Sequence, residues 1–260
     1  MSSLDSVQQA SQAQFDRQSA RYGKSHILAD VSDVEAAFHW ITQPPQATAL
    51  DIATGGGHTG LCLASRGYRV TLADISAAML ENAQKLATER SLTVETRQHP
   101  AEDMPYPEAS FDLVSSRVAP HHFSSPEKFV SESARVLKPG GFFLLIDGSV
   151  YDNELEAEAW LHQVEKLRDP SHHQLLSPKA WIALCEKAGL TIKHHALLEL
   201  KQPDLNWYFE TAATSPENRA AVLTLVEQAP ASVKKLYKLT QEDKKIVWWW
   251  PRLTLVAEKL

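Results

Sequence analysis

Two carboxylates bracket a glycine-rich turn near the start of the chain. Ala49-Leu50-Asp51-Ile52-Ala53 runs into Thr54-Gly55-Gly56-Gly57-His58-Thr59-Gly60, and Asp74 follows Gly55 by nineteen positions at the end of a second apolar run. Glycine takes positive φ cheaply and lets backbone N–H groups approach a ligand closely at a helix N-terminus. Gly55, Gly57 and Gly60 satisfy the G-x-G-x-x-G spacing, and an acidic residue about twenty positions on is suited to a ribose. That spacing leaves two cofactors open, a nicotinamide dinucleotide and S-adenosylmethionine. Asp51 favours the second. A carboxylate beside a pyrophosphate sets like charges against each other in a low-dielectric crevice, whereas a sulfonium and an ammonium group attract it.

Histidines supply the remaining chemistry. His121-His122 and His172-His173 are adjacent pairs, and a neutral imidazole near its ordinary pKa of about 6.5 can take a proton from a hydroxyl or an acidic carbon. His122 and His172 are the candidate catalytic bases. Adjacent histidines point in different directions and no Cys or Glu-x-x-His pattern accompanies them, so no metal is expected. Trp248-Trp249-Trp250 offers an aromatic wall for a flat substrate, or core; on a strand, the outer two share one face.

These groups need a scaffold. Short β-rich runs at 48–53, 68–74, 91–98, 111–116 and 141–149 alternate with helical patterns at 58–66, at 76–90 with Ser76 as N-cap, and from Pro126 to before Lys138-Pro139-Gly140-Gly141. Such alternation implies right-handed crossovers and a parallel sheet. Beyond Val150 come an amphipathic helix, a His-containing loop, a helix near 178–188 stopped by Gly189, a strand at 191–200, helical sequence over 203–240 and a strand-like end in which Pro251 demands a bulge or a strand end. The 260 residues suit one large α/β domain with an elaboration. A net charge of −6 gives no footprint for nucleic acid, and the two cysteines, Cys62 and Cys185, read as buried thiols of a reducing compartment. No signal-like or membrane-spanning run occurs, and a cytoplasmic protein is expected; oligomeric state is not readable.

Three further segments carry a resemblance. HPAEDMPYPEASFDLV, ARVLKPGGFFLLID and SSRVAPHHFSSPEKFVSESARVLKPGG, in this order and spacing, resemble class I S-adenosylmethionine-dependent methyltransferases of the type 11 group, near the ubiquinone/menaquinone biosynthesis C-methyltransferases. The resemblance implies a Rossmann-like α/β fold: a seven-stranded, mostly parallel sheet with an antiparallel last strand, and a helical cap over the carboxyl edge. It divides the chain into an N-terminal helical lid (1–45), a cofactor-binding core (46–150), and the rest of the sheet (151–260) with cap insertions at 151–189 and 203–240.

By that resemblance Asp51 lies under the methionine moiety, the backbone at Ala53, Gly55 and Gly57 lines the cofactor, and Asp74 takes both ribose hydroxyls. Ala53 stands where many relatives have glycine. Ile75 and Met79 pack on the adenine, Ala101 and Glu102 border it, and Pro100 replaces the acidic residue commonly found there. Arg117 meets the methionine side, His58 covers it, and Phe15, Arg17 and Tyr22 belong to the lid. The implied reaction is methyl transfer from S-adenosylmethionine to a small molecule, at carbon or oxygen with carbon slightly favoured, leaving S-adenosylhomocysteine. The readings held open beside it are a nicotinamide-dependent oxidoreductase and a protein that binds the cofactor without methylating.

Overall fold

The computed structural model describes residues 3–22, 26–44 and 46–260, without the side chains of residues 20–22, 26 and 27. Five parallel strands come first: β1 (Thr48–Ile52), β2 (Arg69–Asp74), β3 (Val94–Gln98), β4 (Phe111–Arg117) and β5 (Leu137–Gly148). Two longer strands follow, β6 (Leu190–Lys201) and, after a small hairpin of β7 (Thr240–Glu242) and β8 (Lys245–Val247), β9 (Trp249–Lys259). The seven-stranded order is β3-β2-β1-β4-β5-β9-β6, with β9 antiparallel to both neighbours. The chain thus reverses direction between β1 and β4, and ligands of open α/β sheets bind outside the strand ends at such a point.

Both faces of the sheet are covered. Alternate residues of β5 serve the two sides: Phe143 and Leu145 join Phe129, Trp181 and Cys185, while Phe142, Leu144 and Ile146 join Val34, Leu63 and Ala83. The first side carries α6 (Pro126–Val136) and α8 (Pro178–Lys187); the second carries α3 (Ser32–Ala37), α4 (His58–Ser65) and α5 (Ala77–Glu89). A third cluster, built on Trp160, Leu161, Tyr208, Val222, Tyr237 and Trp248, belongs to α7 (Leu155–Arg168), α9 (Leu205–Ala212), α10 (Pro216–Glu227) and α11 (Ala231–Leu236). At the other end of the chain lie α1 (Ser6–Tyr22) and the short α2 (His26–Ala29). Cys62 and Cys185 are buried on opposite faces of the sheet.

Local signals set the boundaries. Ser76 caps α5 by accepting the Met79 N–H, and Ser125 caps α6, whose first residue is Pro126. The third strand starts at Val94, later than its β-rich run, because Ser91 turns the chain at φ +56. Pro251 lies inside β9 without a bulge: its carbonyl accepts the Ser149 N–H, so its nitrogen faces the same edge, where β5 has ended at Gly148. The irregularity in register falls instead on β6, between Ile192 and His194. Among the described residues no helix is long and apolar enough to cross a membrane.

Candidate functional site

Two adjoining spaces open at the carboxyl ends of β1, β2 and β4. The first, a cavity, is lined by the turn after β1 (Ala53 to Gly56, His58, Thr59), by Asp74 and Ile75 after β2, by His99 to Glu102 after β3, and by Arg117 to Ala119 and His122 after β4. Phe15 and Ser11 of α1 face it from above. The turn needs unusual backbone. Ala53 sits at φ +52 and Gly55 at φ +53, values that an L side chain tolerates poorly. With Ala53 so placed, the backbone of the turn lies along the cavity wall.

Asp74 is held there by backbone alone. Its Oδ2 accepts the Gly55 N–H at 2.9 Å and its Oδ1 accepts the Ser76 N–H at 2.9 Å, so the end of β2 and the glycine turn hold it from both sides. Burial pushes its pKa up to about 6, against the pull of those two N–H groups, with Asp51 and Asp16 adding like charge. Glu102 also lines the cavity, but its oxygens are committed: Oε1 accepts from the Ser124 N–H and hydroxyl, and Oε2 accepts Gln8 of α1 at 2.8 Å.

Helix α1 closes the cavity through polar side chains. Gln12 donates to the Ile75 carbonyl, Asp16 accepts the Ser76 hydroxyl, and Ser11 reaches the His122 carbonyl at 3.4 Å. On its far side Gln14 and Gln18 donate to the Ala212 carbonyl at the end of α9.

Of the residues that the sequence put in the site, Phe15, Ala53, Gly55, His58, Asp74, Ile75, Ala101, Glu102, Arg117 and His122 line this cavity. The side chain of Tyr22 lies outside the described residues. Four others are elsewhere. Asp51 is only 1% exposed and turned behind the loop, accepting from Thr54 (2.5 Å), Gly60 (3.0 Å) and Ser115 (2.7 Å). Gly57, at φ +84, begins α4 and presses on α5, where an added Cβ would lie 2.9 Å from that of Ala83. Met79 is buried in the first turn of α5. His172 is buried outside both spaces, its ring 5.7 Å from that of His121 and 5.8 Å from that of His162; neither nitrogen has a partner among the described residues. Burial and the neighbouring histidines push its pKa far down, so it stays neutral.

The second space is a larger, open cleft that shares Leu28, Arg117, Val118 and His122 with the first. Val118 makes this junction with φ +53, a strained conformation for a β-branched residue. The cleft runs between β6 and β9 on one side and α9 and the α2–α3 region on the other. His122 stands where the spaces meet, its ring edge-on to Phe15 at 4.9 Å and its Nδ1 3.1 Å from the Ser171 carbonyl. Burial, with His121 beside it, holds its pKa well below the usual value.

His121 is the residue that the sequence reading left out. It lines the cleft, and its Nδ1 lies 2.7 Å from Oδ1 of Asp147, buried at the end of β5. Burial alone would lower its pKa, but the Asp147 carboxylate, with Glu165 behind it, overrides that and raises it. A buried carboxylate on one ring nitrogen orients the imidazole and makes the other nitrogen more basic. No sequence signal separated His121 from His122, because the partner is 26 residues away. Arg117 does not stand free either: it donates to Asp33 at 3.0 Å and to the Leu28 and Asp30 carbonyls. Among the described residues no three His, Cys, Asp or Glu groups converge as a ligand set for a metal.

The comparisons with known proteins agree with this geometry. The family described as "Methyltransferase domain" matches residues 50–145. An uncharacterized methyltransferase of Bacillus subtilis, YcgJ, is 33% identical over 171 residues, covering 65% of this chain and 67% of its own. Its crystal structure superposes with a TM-score of 0.81, at 26% identity, over 90% of this chain and 99% of that one. The demethylmenaquinone methyltransferase of Clavibacter sepedonicus is 32% identical over 145 residues, 53% of this chain and 57% of its own. With its sheet order, its glycine turn and these relatives, the chain belongs to the class I S-adenosylmethionine-dependent methyltransferases. Its cofactor is therefore S-adenosylmethionine, and the nicotinamide reading that the glycine spacing allowed is set aside.

Proposed function

We propose that this methyltransferase acts on a small molecule held in the cleft beside the cofactor cavity, and that the His121–Asp147 pair removes the proton which the accepting atom must lose. The observation that carries the reading is the 2.7 Å contact between these two buried groups on the wall of the cleft. Asp74 is the residue to hold the ribose hydroxyls, with the backbone from Ala53 to Gly56 along the rest of the cofactor and Ala101 beside the adenine. The buried Asp74 carboxylate, kept ionised by two N–H donors, is well matched to paired hydroxyls. When bound, S-adenosylmethionine supplies a methyl group on a cationic sulfonium, activated for in-line displacement.

The chain's own task is then alignment, exclusion of water and proton removal. Helix α1 serves as the lid, and the segments 151–189 and 203–240 cap the acceptor. His122, neutral and packed between Phe15 and Ser171, positions the acceptor at the junction. His121 takes the proton, and Asp147 steadies the imidazolium that forms. Carbon and oxygen acceptors both lose a proton in this scheme. We favour carbon, on the similarity to the demethylmenaquinone methyltransferase. The test is to incubate the protein with methyl-labelled S-adenosylmethionine, a panel of phenols and hydroquinones with and without a carboxylate or phosphate group, and separately RNA and protein. Label is expected in a small molecule; label only in the macromolecules overturns the reading.

A further inference from the structure

The cleft is lined by the basic side chains Arg117, Arg168, Lys201 and Arg252 and by the carboxylates Asp30, Asp33, Asp169 and Glu210. Arg117 and Arg252 converge on one residue, Asp33, and share it unequally. Arg117 takes its Oδ2 at 3.0 Å and adds two backbone carbonyls, whereas Arg252 reaches the same oxygen only at 3.5 Å. The other oxygen of Asp33 accepts the Val34 N–H. The guanidinium of Arg252 makes no other hydrogen bond among the described residues, although it carries five donors.

It is also poorly solvated. Its side chain is 16% exposed, on the wall of the cleft, and burial lowers its pKa below the ordinary arginine value even with Asp33 nearby. Asp147 and Asp30 act on it through space, and neither lies within ion-pair distance of it. Asp147 holds His121, and Asp30 accepts the Ser32 N–H. A largely buried guanidinium with idle donors is costly unless an anion meets it. Along the sheet its neighbours are apolar: Trp250 precedes it by two residues on the same face of β9, and Leu198 and Leu200 stand opposite on β6. The Trp250 indole N–H likewise has no acceptor among the described residues.

We propose that Arg252 anchors an anionic oxygen group, a carboxylate or a phosphate, on the methyl acceptor, whose apolar body lies along Leu198, Leu200 and Trp250 toward His122. The proposal rests on the reading of this cleft as the acceptor site. It narrows the acceptor to an amphipathic acid: neutral or cationic molecules of the same shape leave the guanidinium unmet.

The test is calorimetric binding of 2-naphthoate, 2-naphthyl phosphate and the neutral 2-naphthamide to the protein saturated with S-adenosylhomocysteine. At least one acid is expected to bind about tenfold or more tightly than the amide, as a charge-assisted pair requires. Whichever acid shows the larger preference identifies the anion. Arg252→Gln should erase the preference, Arg252→Lys should retain part of it, and added sodium chloride should reduce it. Binding of S-adenosylhomocysteine should be the same in all three proteins, which also reports that the variants are folded. No preference for either acid over the amide, including no measurable binding by any of the three, overturns the anchor, as does a preference that survives Arg252→Gln. Failure of S-adenosylhomocysteine to bind the unaltered protein would instead overturn the methyl-transfer reading.

Discussion

The cavity proposed for the cofactor and the cleft proposed for the acceptor meet at His122, yet they hold their charged groups in different ways. In the cavity, backbone N–H groups serve every carboxylate named: Asp74 through Gly55 and Ser76, Glu102 through Ser124 with side-chain help from Gln8, and just behind them Asp51 through Gly60 together with the Thr54 and Ser115 hydroxyls. In the cleft, side chains satisfy one another: Arg117 and Arg252 with Asp33, His121 with Asp147, Arg168 with Glu165. Backbone donors stay put once the turn is formed, so the first arrangement is rigid and independent of what binds. Side-chain pairs are adjustable, and removal of one partner leaves a buried charge unmet. A common cofactor and a particular acceptor call for these two kinds of construction.

The contrast can be broken, the largest effect first. His121→Gln should lower the methyl-transfer rate by roughly 10²- to 10⁴-fold, the range for losing a general base, with S-adenosylhomocysteine binding unchanged. In the unaltered protein the rate should rise with pH through the pKa of His121, which lies above the usual histidine value, because the base must be neutral to accept a proton. A flat profile, or a variant with full activity, would mean that the cleft has no working base.

Gly60→Ala strikes the cavity side. The added Cβ would sit 2.1 Å from Leu72 Cδ2 and 3.2 Å from Asp51 Oδ2, so overpacking should cost about 1–3 kcal/mol of stability, read as a fall in Tm. Asp74→Ala should weaken S-adenosylhomocysteine binding by about 1–3 kcal/mol through loss of charge-assisted bonds. The same carboxylate gives a pH signature. Its pKa is raised in the folded protein to about 6, so it protonates as pH falls through 6, and calorimetric affinity should drop there in the unaltered protein but not in Asp74→Ala. For the fold alone the sign is opposite: a raised carboxylate favours the folded state at low pH, and that contribution is lost between the unfolded value and about 6.

The smallest effect is expected from Ala53→Gly. Releasing a left-handed alanine at φ +52 gains about 1 kcal/mol, partly offset by the greater freedom of glycine in the unfolded chain. A modest rise in Tm, with cofactor binding intact, would show that the turn carries strain.

The same division governs what the residues reveal before any coordinates. The Asp74 corner of the cavity is assembled from contacts short in sequence: Asp74 lies 19 positions from Gly55 and two from Ser76. Apolar periodicity, a capping serine and a glycine turn are enough to place them, and Gly60 is recognisable as a packing residue. Spacing does not tell which way a residue faces, however, and so Asp51 at the end of β1, Gly57 before α4 and Met79 in α5 lie next to the cavity but face the packed side. The cleft depends on pairs set far apart, Arg117 with Asp33 at a separation of 84 and Arg252 with Asp33 at 219. Only the completed sheet brings these together. Choosing among His121, His122 and His172 needed the position of Asp147, and the tryptophan triplet divides just as unpredictably: Trp248 is buried in the cap, Trp249 lies under Lys201 and Lys238, and Trp250 lines the cleft.

Helix α1 has a composition that bears on turnover. Its sequence, SVQQASQAQFDRQSARY, contains little apolar surface beyond Phe15, so it is fastened mainly by glutamine, serine and aspartate contacts to the β2–α5 connection, to Glu102, to His122 and to the end of α9. Water can replace each of those bonds in turn, at a net cost of about 1 kcal/mol apiece, whereas an apolar seal would have to be torn off at once. On the proposed reading of α1 as a lid, it would open like a zip fastener, one bond at a time, and replacing its glutamines by alanine should shorten the residence time of the spent cofactor.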